Sequence, residues 1–117
     1  MTDKLTGKWF NLPDWQEGPL QNLAEPGLFR FVLNGRVVYI GYAARAKPGL
    51  AGRIAAYRRG DVKTHRASQA IARLKDQLEL WVMFSDAPPA EIKRAAKEIV
   101  RRYNPRFNRI NSFLGRI

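Results

Sequence analysis

Arg53 and Tyr57 stand four residues apart in the segment LAGRIAAY, a spacing that brings a guanidinium and a phenol to one face of a helix. A fixed guanidinium grips an anionic oxygen group through charge-assisted hydrogen bonds, and a phenol beside it donates to the same anion or relays a proton. The chain around them is strongly basic: 21 Lys and Arg against 10 Asp and Glu give a net charge of +11 over 117 residues. A polyanion is therefore the first partner to consider. The basic residues gather in two stretches, Arg45, Lys47, Arg53, Arg58, Arg59, Lys63 and Arg66, then Arg101, Arg102, Arg106, Arg109 and Arg116. With few acids among them they form a candidate phosphate track, with contacts expected from Lys47, Arg58, Arg59, Lys63, His65, Arg106 and Arg109. The plain alternative is a solvated face. Phe107 and Phe113, set between arginines, either stack on unpaired bases or pack into the core.

Other chemistries are excluded by composition. The absence of cysteine removes disulfide frameworks, thiolate zinc sites and thiol nucleophiles together, and the single histidine, His65, removes any multi-histidine metal site. No apolar run approaches the roughly 20 residues of a membrane span, and the N-terminus MTDKLTGKWFNLPDW lacks the apolar stretch of a signal peptide. The expected location is the cytoplasm, with no membrane partner, because the apolar faces of the helices are already needed for a core.

These residues must be positioned by regular elements. LFRFVL (28–33) and RVVYIGY (36–42) are rich in β-branched and aromatic residues and are separated by Asn34-Gly35, which supplies the positive φ angles of a tight type I′ turn. A β-hairpin is the strongest local prediction. Gly41 either ends its strand or lets a backbone or phosphate approach. AARAKPG (43–49) reads as a loop. The spacing of Leu50, Ile54 and Tyr57 predicts a helix over 50–59 that stops at Gly60. Thr64 is placed to cap a second helix with the stripe Ala67, Ala70, Ile71, Leu74 and Leu78, and LELWVMF (78–84) reads as a third strand. Pro88-Pro89 opens a last helix whose face is Ile92, Ala95, Ala96, Ile99, Val100 and Tyr103, closed by Pro105.

The expected fold is α+β, a small, mainly antiparallel three-stranded sheet flanked by helices in the order β-β-α-α-β-α. Residues 1–26, which hold Asp3, Asp14, Glu17 and Glu25 against Lys4 and Lys8 and carry Trp9, Phe10 and Trp15, are expected to form an arm packed on a domain of residues 27–117. The simplest role for that arm is to cover a sheet edge.

Taken in order, GLF, YIG, LAGRIAAY and IVRRYNPRFN, over about residues 27 to 110, resemble the GIY-YIG nuclease superfamily. The resemblance implies a DNA endonuclease that cuts a phosphodiester by in-line attack of water, with Mg or Mn as the divalent cation. It implies a hairpin tyrosine that helps deprotonate the water, an arginine that stabilises charge on the phosphate, a glutamate on the last helix that holds the cation, and a supporting asparagine. By motif position Tyr39, Arg53, Tyr57 and Asn108 match. Two positions depart from the pattern: Phe29 stands where the first motif has tyrosine, and Ala96 stands at the metal-binding glutamate, so no metal ligand is implied in this chain.

Neighbouring acids do not repair the second loss. Glu98 and Glu91 fall about 200° and 140° around the helix from position 96. Asp61, Asp76 or Glu79 would have to reach in from elsewhere. Two readings follow: a nuclease impaired by divergence or by deliberate substitution, or a non-catalytic nucleic-acid-binding module on a nuclease fold. Neither encodes base readout, and RNA stands beside DNA as a partner. Substrate targeting is expected to come from the chain's own basic surface, an oligomer or a partner protein.

Overall fold

The computed structural model describes residues 8–20, 23–60 and 66–109. Its framework is the predicted hairpin. Strand β2 (Gly27–Leu33) and strand β3 (Arg36–Ala43) pair antiparallel, with Leu33 opposite Arg36 and a register shift between Phe31 and Val32. Asn34 and Gly35 take φ angles of 51° and 79°, the left-handed pair that a type I′ turn requires. Strand β4 (Leu78–Phe84) lies antiparallel on the other side of β2.

The sheet has four strands, not three. A two-residue strand, β1 (Phe10–Asn11), pairs antiparallel with β4, giving the order β1-β4-β2-β3. The Leu12 N–H extends the contact to the Leu80 carbonyl at 2.9 Å. A strand this short, cut off by Pro13, is too brief to show alternation in sequence. It forms because the free backbone edge of β4 needs a partner.

Helix α1 (Gly49–Arg59) ends at Gly60, whose φ of 65° lets its N–H close on the Ala56 carbonyl at 2.9 Å. Helix α2 (Arg66–Arg73) passes through a 3₁₀ turn, Lys75–Gln77, into β4. Helix α3 (Pro89–Tyr103) begins at the proline pair and stops at Asn104, which takes a φ of 49° and donates its N–H to Val100. Residues 106–109 form one further helical turn. The predicted cap Thr64 lies outside the described residues, as do Asp61, Lys63, His65, Phe113 and Arg116.

Two apolar clusters hold these elements. Phe29, Phe31, Leu80 and Val82 of the sheet pack with Leu50, Ile54 and Tyr57 of α1, with Ala67 and Ile71 of α2, and with Phe107. Leu28 and Met83 pack with Ile92 and Ala96 of α3. Phe107 is thus a core residue rather than a base-stacking one, while Tyr103, expected on the buried face of α3, is 54% exposed at the last position of that helix. The N-terminal segment contributes directly: Trp15 is 2% exposed, its ring lies 4.9 Å from Phe31, and its Nε1–H donates to the Leu78 carbonyl at 2.9 Å.

Candidate functional site

The open edge of the sheet is β3, and a cavity of about 380 Å³ lies along it between α1 and α3. All six positions singled out by motif, Phe29, Tyr39, Arg53, Tyr57, Ala96 and Asn108, line this cavity. The hairpin delivers Phe29 and Tyr39, α1 delivers Arg53 and Tyr57 one turn apart, and α3 delivers Ala96.

The aromatic wall is tightly ordered. The Phe29 ring meets Tyr57 edge-on at 5.6 Å and lies 6.3 Å from Tyr39. It also crosses its cross-strand partner Gly41, where any Cβ would overlap the ring. Gly41 therefore sits within β3 rather than at its end, is required by the Phe29 ring, and itself lines the cavity.

The Tyr57 hydroxyl donates to the Tyr39 oxygen at 2.7 Å. Burial pushes the Tyr57 phenol well above its ordinary range, the adjacent Tyr39 adds to the shift, and Arg53 opposes it only in part. At neutral pH Tyr57 is consequently a neutral hydrogen-bond donor that orients Tyr39. A tyrosinate base is unavailable there.

Arg53 is exposed, with its guanidinium 6.0 Å from the centre of the Tyr42 ring. Arg53 and Tyr42 also line a neighbouring cavity that leads to Arg45, so the cationic surface continues past the site. Asn108 acts on the backbone: its Oδ1 accepts from the Ile40 N–H and its Nδ2 donates to the Ile40 carbonyl, both at 2.9 Å. This fixes the edge strand beside Tyr39 in the manner of one added strand residue. Both side-chain bonds thus go to the edge strand rather than to the turn after Pro105.

Position 96 is occupied by a buried methyl group, and the next residue, Lys97, also lines the cavity. Lys97 was missed by sequence reasoning because one more lysine in a basic helix carries no signal until the cavity wall is known. Among the described residues no carboxylate lines the cavity, and no group of three or more potential metal-ligating acids or histidines occurs. Glu91 and Glu98 open onto a different cavity of about 570 Å³ with Trp9 and Arg30. Glu79 accepts from the Trp81 indole at 3.1 Å, and Asp76 lines a surface depression with Asp14 and Glu17. A dication within about 7 Å of one uncompensated positive charge is repelled by about 5 kcal/mol at an effective dielectric of 20. With Arg53 and Lys97 both present, the residues of this cavity do not fit a divalent metal.

The cations of the expected phosphate track differ in exposure. Lys47, Arg59, Arg106 and Arg109 are exposed. Arg58 is committed elsewhere: its Nε donates to the Gln16 carbonyl at 2.8 Å and its Nη2 to the Gly18 carbonyl at 2.6 Å, which pins the N-terminal segment to α1.

No family model and no curated protein matches the chain. Solved structures do. The chain is similar to the GIY-YIG N-terminal endonuclease domain of UvrC from Thermotoga maritima bound to its catalytic magnesium, with a TM-score of 0.55 and 22% identity over 72% of this chain and 83% of that one. A tyrosine-to-phenylalanine point mutant of that domain, also bound to the catalytic divalent cation, aligns with a TM-score of 0.55 and 24% identity, covering 72% of this chain and 82% of the other. An asparagine-to-alanine mutant of the same domain aligns with a TM-score of 0.51 and 25% identity, over 72% and 82%. The hairpin-based antiparallel sheet and its flanking helices thus have the fold of the GIY-YIG endonuclease domains.

Proposed function

We propose that this chain binds nucleic acid, DNA foremost, by seating a backbone phosphodiester in the cavity along β3, and that it has lost the metal-dependent hydrolysis associated with its fold. The observation that carries this reading is the composition of the cavity. Arg53, Lys97 and the Tyr39–Tyr57 phenol pair converge there, and no described carboxylate accompanies them. In this reading the Arg53 guanidinium donates to the non-bridging oxygens of the phosphodiester. Tyr57, held neutral, orients the Tyr39 hydroxyl, so the pair adds hydrogen-bond donation. Asn108 keeps the strand in place through Ile40. Exposed Lys47, Arg59, Arg106 and Arg109 contact flanking phosphates, so recognition is by backbone and shape, and targeting comes from an oligomer or a partner protein.

The alternative, a working endonuclease, is favoured by the retained arrangement of Arg53, Tyr39 and Tyr57. Incubation with single-stranded, duplex and branched DNA in Mg²⁺ or Mn²⁺ separates the two. Retention without cleavage is expected, together with cleavage by an Ala96→Glu, Phe29→Tyr double variant. Cleavage by the unaltered chain overturns the loss of hydrolysis, and absence of binding at low salt overturns both readings.

A further inference from the structure

Lys97 follows directly on the alanine that replaces an acidic position in the motif pattern, and it lines the cavity from α3 while Arg53 lines it from α1. The two cations thus line one cavity from different helices, and among the described residues no acid lines it. We infer that the Lys97 ammonium takes over the electrostatic task of a divalent cation, so that the cavity holds a phosphodiester without metal. This rests on the reading that the cavity binds nucleic acid.

The chemistry of the two side chains suits that division. Arg53 presents a planar fork of donors that matches two oxygens of one phosphate, whereas Lys97 brings a compact positive charge with three rotatable donors on a flexible stem. Lys97 is exposed and lines the cavity, so an incoming phosphate can reach this residue. Ala96 beside it is 3% exposed and offers a methyl group in place of an acid, which leaves no anionic competitor at that spot. The same arrangement that repels a dication attracts a phosphodiester, and affinity is then independent of added metal.

The test is the fluorescence anisotropy of a labelled oligonucleotide titrated with the full chain, in EDTA and in Mg²⁺ at matched ionic strength. Affinity is expected to agree within about twofold between the two conditions, since the electrostatic term comes from protein cations. Lys97→Glu is expected to weaken binding by about tenfold or more and to lower the magnitude of the salt slope by about one, the signature of one lost phosphate contact. Lys97→Arg keeps the charge and retains binding. Lys8→Glu makes the same change in net charge from an exposed residue next to β1, at the opposite edge of the sheet, and is expected to weaken binding by less than about threefold. Binding that requires Mg²⁺, or equal losses from Lys97→Glu and Lys8→Glu, overturns the inference while leaving nucleic-acid binding intact. No binding by the unaltered chain at low salt overturns the function on which it rests.

Discussion

The side-chain amide of Asn108 satisfies both backbone groups of Ile40 on the open edge of the sheet, one accepted and one donated hydrogen bond at 2.9 Å each. An edge strand otherwise presents these groups to solvent or to another chain. Asn108→Ala leaves both without their protein partner and is expected to cost about 1–3 kcal/mol, because part-buried polar groups lose their compensation. Asn108→Asp keeps the acceptor but faces the Ile40 carbonyl with a carboxylate, so it is expected to be at least as damaging. Chemical denaturation of the two variants measures this. A neutral Asn108→Ala would mean that the clamp contributes nothing to holding β3.

Trp15 makes the N-terminal segment part of the same core as the hairpin. Truncation to Ala removes a large ring packed on Phe31 and is expected to cost about 3–5 kcal/mol. Trp15→Phe keeps most of the apolar contact and removes only the indole N–H bonded to Leu78, so about 1–3 kcal/mol is expected. Thermal or urea unfolding that ranks the two in the reverse order would show that the hydrogen bond outweighs the packing.

What was legible in the sequence was whatever local chemistry decides alone. Asn34-Gly35 marked a turn only positive φ angles can make, Gly60 marked a helix end, and Pro88-Pro89 marked a helix start. Motif order picked out Phe29, Tyr39, Arg53, Tyr57, Ala96 and Asn108, and all of them line one cavity. Features set by long-range contact stayed hidden. β1 exists because β4 offers a bare edge, Gly41 is required by a ring on the neighbouring strand, and Arg58 turns from the surface to carbonyls of Gln16 and Gly18. Lys97 gains meaning only from the wall it stands on.

The Tyr57–Tyr39 pair makes stability sensitive to alkaline pH. Tyr57 is held neutral in the fold above the ordinary phenol range, chiefly by burial. The unfolded chain releases its tyrosine protons near pH 10, so above that pH the unfolded state binds fewer protons than the folded one. The contribution is fully present below about pH 10 and is lost as pH rises, by up to about 1.4 kcal/mol per pH unit for one group. Tyr57→Phe gives up the hydrogen bond to Tyr39 but removes this titration, so its stability should decline less steeply between pH 10 and 11. Denaturation midpoints compared across that range provide the check, and parallel declines would exclude Tyr57 as the source.

Ala96→Glu asks whether a carboxylate at position 96 suffices for metal binding. The new side chain would enter a cavity already lined by Arg53 and Lys97, which hold it ionised and ready to coordinate. A ligand that binds only the folded state at a hundred times its dissociation constant adds about 2.7 kcal/mol. At about 4 °C per kcal/mol for a domain of this size, Mg²⁺ should raise the Tm of Ala96→Glu by roughly 10 °C and leave the unaltered chain unchanged. Adding Lys97→Ala to the variant removes a repelling charge and should enlarge the shift. An equal shift in the unaltered chain would place a cation site outside position 96. No shift in either variant would mean that one carboxylate at position 96 does not make a cation site beside Arg53.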